Sequence, residues 1–314
     1  MKVSFITTVY NEEDSIGDFL SSLFSQTTMP DEIIIVDGGS SDRTIEKIKD
    51  FKQKIKNYKG NFVLLIKKGN RSLGRNTAIK HAKGEIIACS DAGCILDKNW
   101  LKNIVEPFDK KNIDVASGFY YPKTRNIFEK CLATYTCVMP DKIDQLNFLP
   151  SSRSVAFKKV VWEKVGGYPE ELNTCEDLVF DKKLKRNGFH FYFSKEAFVY
   201  WPQRHTINEA FIQFYSYAKG DGEAFYVRPQ TPLLFLRYLV GIFLAIIFIM
   251  TKSILMLSFL LFILVLYILW AVAKNYRYIK NIQALYILPF LQFTSDIAVL
   301  TGFSVGIYHR KKLL

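Results

Sequence analysis

Paired cysteines are missing from this chain. Its five cysteines (Cys89, Cys94, Cys131, Cys137 and Cys175) are odd in number and lack metal-ligand spacing. That pattern excludes a disulfide framework and a cysteine zinc site, and it predicts reduced thiols in a cytosolic compartment. No long apolar run stands at the amino terminus, where Lys2 precedes a short strand pattern and then Asn11-Glu12-Glu13-Asp14. The soluble part is therefore expected to stay in the cytoplasm. Internal repeats and low-complexity stretches are absent too, which excludes a solenoid or a linker array. Acidic residues are in short supply: 30 Asp and Glu face 42 Lys and Arg, a formal charge of +12. A surplus of that size suits nucleic acid or an anionic membrane surface. The lysines scatter over 46–59 and 102–111 without an interleaved aromatic platform, so the lipid surface is the expected partner and nucleic acid is set aside.

What is abundant is hydrophobe, and it is unevenly placed. As far as about Gln230 charge and hydrophobe mix as in a soluble protein, and from Leu233 onward Leu, Ile, Phe, Val and Tyr dominate. Ile254 to Ala273 is 20 residues without a charge, enough to cross a hydrocarbon core of about 30 Å. Leu233 to Met250 is nearly as apolar, with Arg237 close enough to its end to snorkel. A buried core helix is the alternative for each. Arg228 precedes the first span, Lys252 lies between the two, and Lys274, Arg277 and Lys280 follow, which predicts a helical hairpin with both ends cytoplasmic. A third segment, about 285–308, contains Pro289, Gln292 and Asp296 and runs into Arg310-Lys311-Lys312. It is expected to be re-entrant or interfacial, with Gly302 and Gly306 allowing close helix packing and a full third span as the alternative. Two regions follow: a cytoplasmic catalytic domain over 1–230 and a membrane region over 231–314.

The first half alternates strand and helix. Strands are expected at Val3–Val9, Ile33–Val36, Phe62–Ile66, Ile86–Cys89 and Ile113–Ser117. Helices are expected over about Glu13–Phe24, Thr44–Ile55, Gly74–Ala82 and Asn99–Phe108. Such alternation implies an α/β fold, a mostly parallel sheet with helices on both faces. Asn11, Asp42 and Asp97 are expected helix N-caps. Residues 120–150 lose the rhythm and read as a long loop or lid. Order returns with a strand at Ser154–Phe157, a helix, a turn at Gly166-Gly167-Tyr168-Pro169, a helix over about Cys175–Asn187 and a short strand at Ala197–Tyr200.

Four features could carry chemistry. Ile33-Ile34-Ile35-Val36 is a strand buried on both faces that ends on Asp37 and turns through Gly38-Gly39-Ser40-Ser41. A carboxylate there sits where open α/β sheets bind ligands, able to read a base or ribose. Gly74-Arg75-Asn76 opens a helix whose amides and guanidinium suit a base or phosphate. Ser90-Asp91-Ala92-Gly93 puts a second carboxylate at the same sheet edge, and Glu176-Asp177 begins a helix after a glycine-rich turn. Two carboxylates at one edge repel each other unless a cation or ligand intervenes.

The run Thr7-Thr8-Val9-Tyr10-Asn11-Glu12, then Val36-Asp37-Gly38-Gly39-Ser40-Ser41-Asp42, then Arg75-Asn76, Asp91 and Glu176-Asp177 resembles the family 2 glycosyltransferases over roughly residues 1–220. The resemblance implies the glycosyltransferase A fold and inverting transfer of sugar from a nucleotide-diphosphate sugar such as a UDP- or GDP-sugar. It implies that Asp37 accepts a hydrogen bond from the base, that Thr8, Tyr10 and Glu12 line the donor pocket, and that Arg75 contacts base or diphosphate. Asp91 would be the first carboxylate of the metal-binding DxD element, and Asp177, with Glu176 beside it, the catalytic base. The second DxD carboxylate is Gly93 here. A Mg²⁺ or Mn²⁺ would then be held loosely, largely by the substrate's phosphates and water.

Plainer roles compete. Asp177 fits a capping box with Thr174, Asp42 fits an N-cap, and His205 fits a structural histidine better than a distant metal ligand. Trp201, Arg204 and Ser151-Ser152-Arg153-Ser154 are undecided between acceptor or diphosphate contact and packing. The expected acceptor is a lipid-linked or other saccharide, as in cell-envelope polysaccharide assembly. The ED pair tilts this toward a sugar hydroxyl over polyprenyl phosphate, which would need no base. The competing functions are a polyprenyl-phosphate sugar transferase, a membrane-tethered nucleotide-binding subunit without turnover, and a transport or scaffold protein.

Overall fold

Odd-and-even alternation along the central strands builds two cores at once. In β1 (Val3–Val9) and β2 (Glu32–Asp37), Phe5, Ile33 and Ile35 join one buried cluster, and Ile6, Ile34 and Val36 join another. β4 (Ile86–Cys89) divides the same way, Ile86 and Ala88 against Ile87 and Cys89. Successive side chains leave a strand on opposite faces, so an unbroken apolar run requires a cover on both. In the computed structural model, which describes residues 1–55, 58–110 and 112–313, helices supply both covers. The first cluster is closed by α1 (Ile16–Phe24), α2 (Thr44–Lys54) and α4 (Trp100–Lys110). The second is closed by α3 (Arg71–His81), α6 (Lys159–Val165) and α7 (Glu176–Arg186). Each fully buried Ile or Phe contributes about 1.5–3 kcal/mol, so these faces hold the sheet in place.

With β3 (Asn61–Ile66), β5 (Ile95–Leu96), β6 (Val115–Lys123), β7 (Val155–Lys158) and β8 (Phe191–Pro202), the sheet runs β3-β2-β1-β4-β7-β6-β8-β5. β1, β2, β3 and β4 are mutually parallel where they pair, and so are β6 and β8; β7 runs antiparallel to both of its neighbours. The register sets Val9 beside Asp37 and Ile6 beside Cys89. Tyr10, Gly38 and Ser90-Asp91 therefore leave the sheet along one edge, the edge at which an open α/β sheet takes its ligands.

The chain divides into two compact units: residues 1–123 with 139–202, and residues 124–138 with 203–314. The second unit thus takes in more than the segment beyond 230. In the stretch 120–150, expected as a loop, the first part continues β6 to Lys123 and then forms α5 (Ile127–Thr136), while 137–150 is irregular apart from a 3-10 turn at Pro140–Lys142. Asn126 caps that helix, its Oδ1 accepting from the Glu129 amide at 2.9 Å. Also in this unit is α8 (Ile207–Glu223), a helix not expected from the sequence, although Thr206 and Glu209 form a reciprocal capping box. Helices α9 (Gln230–Thr251), α10 (Ile254–Tyr276) and α11 (Ala284–Leu313) follow. All three are long and apolar enough to cross a membrane. They differ in burial: 39% of the apolar window of α11 is enclosed, against 6% for each of the other two. The cause is α8, against which α11 lies so closely that a Cβ on Gly306 would overlap the Lys219 carbonyl oxygen. Asp296 on α11 accepts from the Tyr238 hydroxyl at 3.0 Å, from Gln292 Nε2 at 2.8 Å and from the Tyr267 hydroxyl, which joins α9, α10 and α11.

The three expected caps differ in what they do: Asn11 caps no helix, and Asp42 lies one residue ahead of Arg43, the N-cap of α2. Asn11 adopts a left-handed φ of 53° and its Oδ1 accepts from the Ser41 amide at 2.9 Å, so it ties two loops together. Asp42 accepts from the Thr44 amide at 3.0 Å at the start of α2 and from the Glu13 amide at 3.1 Å. Asp97 accepts from the Asn99 amide at 2.9 Å just ahead of α4. Of the lysines over 46–59 and 102–111, Lys56 and Lys111 lie outside the described residues.

Candidate active site

A single guanidinium organises the site. Arg75 on α3 is 1% exposed, and its Nη1 donates to Glu176 Oε1 at 2.7 Å while Nη2 donates to Asp91 Oδ1 at 2.9 Å. Gly74 lets α3 come this close to the sheet, since a Cβ there would lie 2.6 Å from Thr8 Cγ2. Acids far apart in sequence thus meet across one planar fork, a geometry a lysine could not reproduce. Burial alone would lower the Arg75 guanidinium; Asp91 and Glu176 outweigh it and hold the cation charged well above its ordinary value.

The two acids respond differently. Burial would raise Asp91, but Arg75, with Arg153 and Arg71 farther off, holds its carboxyl below the ordinary value. Its side chain keeps 31% of its surface exposed. Glu176 is enclosed, and burial, aided by neighbouring Asp177, raises it despite Arg75. Asp177 itself is half-buried and held by backbone: Leu178 N donates to Oδ1 at 2.8 Å and Ser152 N to Oδ2 at 3.4 Å. Helix α7 begins after Cys175, which has a left-handed φ of 67°, so Asp177 is the second helical residue and cannot close a capping box from Thr174.

One turn farther along α7, Asp181 is 3% exposed and its Oδ2 has no hydrogen-bond partner among the described residues. Burial, with Asp177 adding to it, raises this acid well above its ordinary value. The spacing of four from Asp177 marks the same helix face in the sequence. Asn76 also has a role that the motif alone did not disclose. Its Nδ2 donates to Tyr168 O and Glu170 Oε1, both at 2.9 Å, and its Oδ1 accepts from Trp162 Nε1 and Tyr168 N, both at 3.0 Å. The Gly167-Tyr168 turn ahead of α7 is fixed by this one amide.

On the other side of Asp91, Asp37 is fully buried. Its Oδ1 accepts from the Gly39 and Ser40 amides at 2.8 and 2.9 Å, and its Oδ2 accepts from Ser40 Oγ at 2.5 Å. The carboxylate shapes the loop that leaves β2. Thr8 is half-buried at the end of β1, and Tyr10 is 61% exposed just beyond. Glu12 holds Ser15 through its carboxylate, and its Oε2 lies 4.0 Å from where a Cβ on Gly93 would be. His205 pairs with Glu129 at 2.9 Å inside the second unit, and Arg204 is exposed.

A hard divalent cation takes oxygen ligands. Among the described residues no three His, Cys, Asp or Glu side chains converge to form a complete cage. Asp91 does fit such an ion: it is ionised, part-exposed and at the sheet edge, with open space at Gly93. The protein can therefore offer one carboxylate to such an ion, short of a complete cage among the described residues.

The fold and these motifs belong together in known proteins. Residues 86–274 match Glycosyl transferase family group 2, and residues 4–153 match Glycosyl transferase family 2. The chain belongs to the family 2 glycosyltransferases, with apolar helices following the catalytic fold. It is 29% identical over 233 residues to the poly-beta-1,6-N-acetyl-D-glucosamine synthase of Staphylococcus epidermidis, covering 70% of this chain and 55% of that one. The chain thus spans about half the length of that relative. It is 28% identical over 209 residues to the glycosyltransferase AglE of Haloferax volcanii, covering 64% of this chain and 67% of that one. Among solved structures, the mannosyltransferase PcManGT from Pyrobaculum calidifontis, in complex with GDP-Man and Mn²⁺, superposes with a TM-score of 0.62 at 17% identity, covering 94% of this chain and 86% of that one. TarS from S. aureus in complex with UDP gives 0.52 at 18% identity, covering 99% and 92%. At those identities the structural likeness establishes the fold.

Proposed function

We propose that this protein transfers a sugar, with inversion, from a nucleotide-diphosphate sugar to a hydroxyl of a saccharide or lipid-linked acceptor at the cytoplasmic face of a membrane. The observation that carries the reading is the Asp91–Arg75–Glu176 bridge, which brings the acid of the DxD-like edge and the ED pair into one site. Asp177 takes the proton from the acceptor hydroxyl as that oxygen attacks the anomeric carbon. The Ser152 and Leu178 amides fix its two oxygens, and a positioned base contributes about 10²- to 10⁴-fold. The nucleotide lies over the ends of β1 and β2, against the loop shaped by Asp37 and beside Thr8, Tyr10 and Glu12. Arg75, being enclosed, acts by holding Asp91 and Glu176 in place. Asp91 would hold a Mg²⁺ or Mn²⁺, whose chemistry is to offset charge developing on the leaving diphosphate.

One fold neighbour binds GDP-Man with Mn²⁺ and another binds UDP, which supports a nucleotide-sugar donor. A polysaccharide synthase and a glycosyltransferase among the sequence relatives support an envelope or secreted polysaccharide setting. For the membrane part, we read α9 and α10 as a spanning hairpin with cytoplasmic ends and α11 as interfacial. Lys219, Asp221 and Glu223 on α8 require water or ion partners, and the second half of α11 packs along that helix. His309, near the end of α11, lies 3.5 Å from Glu223.

The test is Asp177→Asn. Transfer from the cognate donor should fall at least 10²-fold, while nucleotide affinity measured by calorimetry stays within twofold. Loss of nucleotide binding would remove the base role from Asp177.

A further inference from the structure

The turn at residues 151–154, which the donor chemistry leaves unused, holds a second guanidinium in an aromatic slot. Arg153 Cζ lies 3.8 Å from the Trp201 ring centre and 5.1 Å from that of Tyr120. Its Nη1 donates to Ser151 Oγ at 2.9 Å. The turn around it is pinned on two sides. Ser154 Oγ accepts from Trp100 Nε1 at 2.7 Å and donates to the Ala197 carbonyl at 2.9 Å, while Ser152 N reaches Asp177. A guanidinium held against aromatic rings is a positioned cation of the kind that recognises phosphate and carboxylate. Immobilising the chain beforehand also removes much of the ordering cost of that recognition.

Its place in the sheet decides which substrate it serves. The base-reading loops leave β1 and β2, whereas Arg153 precedes β7 and its two rings come from β6 and β8, on the far side of β4. Along the sheet order, Asp91 at the end of β4 stands between the two groups. Arg153 adjoins Ser152, whose amide holds the catalytic carboxylate. Its field reaches Asp91 and Cys94 as well, so it lies beside the reaction centre on the acceptor side.

We propose that Arg153, clamped by Tyr120 and Trp201, binds a negatively charged group on the acceptor, so that the enzyme selects an anionic acceptor over a neutral one. This rests on the glycosyltransferase reading above. Two sources carry that chemistry: a phosphodiester linking sugar to lipid, and the carboxylate of an acidic sugar.

The full chain in phosphatidylcholine nanodiscs should be titrated with three soluble probes: methyl glucoside, methyl glucuronide and a methyl glucosyl phosphodiester. Tryptophan fluorescence is the readout, Trp201 being in contact with the arginine. One anionic probe should bind at least about tenfold more tightly than the neutral one, the scale of a charge-assisted contact, and which one does so names the source. Arg153→Gln should reduce that preference to less than about twofold and Arg153→Lys should retain part of it, with UDP and GDP affinities unchanged in both. Equal binding of all three probes by the wild type, including no binding of any, overturns the proposal. A loss of UDP or GDP affinity in Arg153→Gln matching the loss of anion affinity also overturns it, by moving Arg153 to the donor site. Should Arg153→Gln fail to fold, the wild-type preference and Arg153→Lys still decide. Failure of the wild type to bind any nucleoside diphosphate would instead count against the glycosyltransferase reading, separately from the anion preference.

Discussion

Replacing Arg75 by Met removes a cation from between two acids while keeping most of its volume. Glu176 is 4% exposed, so it would remain buried with its charge uncompensated. Asp91 keeps 31% of its side-chain surface, so solvent would screen most of its loss. The cost is therefore set by Glu176, and breaking a buried pair by removing one partner costs about 3–5 kcal/mol. The sign with pH follows from linkage. Without Arg75, burial and Asp177 act on Glu176 against Arg71 alone and its folded-state value climbs further. A carboxyl that holds its proton more tightly folded than unfolded makes stability fall as pH rises from its unfolded value of about 4.3 through the raised one. The defect of Arg75→Met should accordingly be largest at pH 7–8 and shrink toward pH 5. Thermal unfolding of the detergent-purified chain, followed by tryptophan fluorescence at several pH values, measures it. Adding Glu176→Gln to Arg75→Met should recover more than half of the lost thermal stability at pH 7.5. An Arg75→Met protein as stable as wild type, or no recovery in the double variant, would refute the assignment of Arg75 as the clamp.

Further outcomes follow from the same geometry. Burial raises the Asp181 carboxyl in the fold, so its stability contribution also declines as pH rises above the unfolded carboxyl range; Asp181→Asn should gain stability relative to wild type as pH rises from about 4 to about 8, in the same melts. Gly306→Ala drives a Cβ into the Lys219 carbonyl and should destabilise the α8–α11 pair by about 1–3 kcal/mol. Gly241→Ala, with nothing within 4 Å, should be neutral or slightly stabilising, and limited proteolysis of the two variants makes the comparison.

The central sheet was legible because its signal is local. Runs such as Ile33 to Val36 state in four residues that both faces are covered, and the observed β2 extends them by one residue at each end. Elements whose stability depends on distant partners were harder to read. Helix α5 has its apolar side covered by Ala210, Leu288 and Leu291, far away in sequence, and only the Asn126–Glu129 cap marks its start. Helix α8 is hard to see for a related reason: it faces α11 with the small residues Ala218 and Gly222, which give no apolar stripe, and its one local mark is the Thr206–Glu209 box. In the site, the acids were readable as types at strand and helix ends. Their mutual arrangement was not, because Arg75 joins residues 16 and 101 positions away and Arg153 lies against rings 33 and 48 positions away.

The excursion of residues 124–138 out of the first unit and back has a practical consequence. No single cut liberates the first unit intact. A chain ended after Pro202, or after the more obvious Gln230, still carries α5, now stripped of Leu288, Leu291 and Ala298, which shield Cys131 and Leu132. Such a fragment would display an oily helix in mid-sequence and self-associate. A water-soluble version would have to excise that insert as well, rejoining Lys123 to Met139, or repaint its bared side with polar residues.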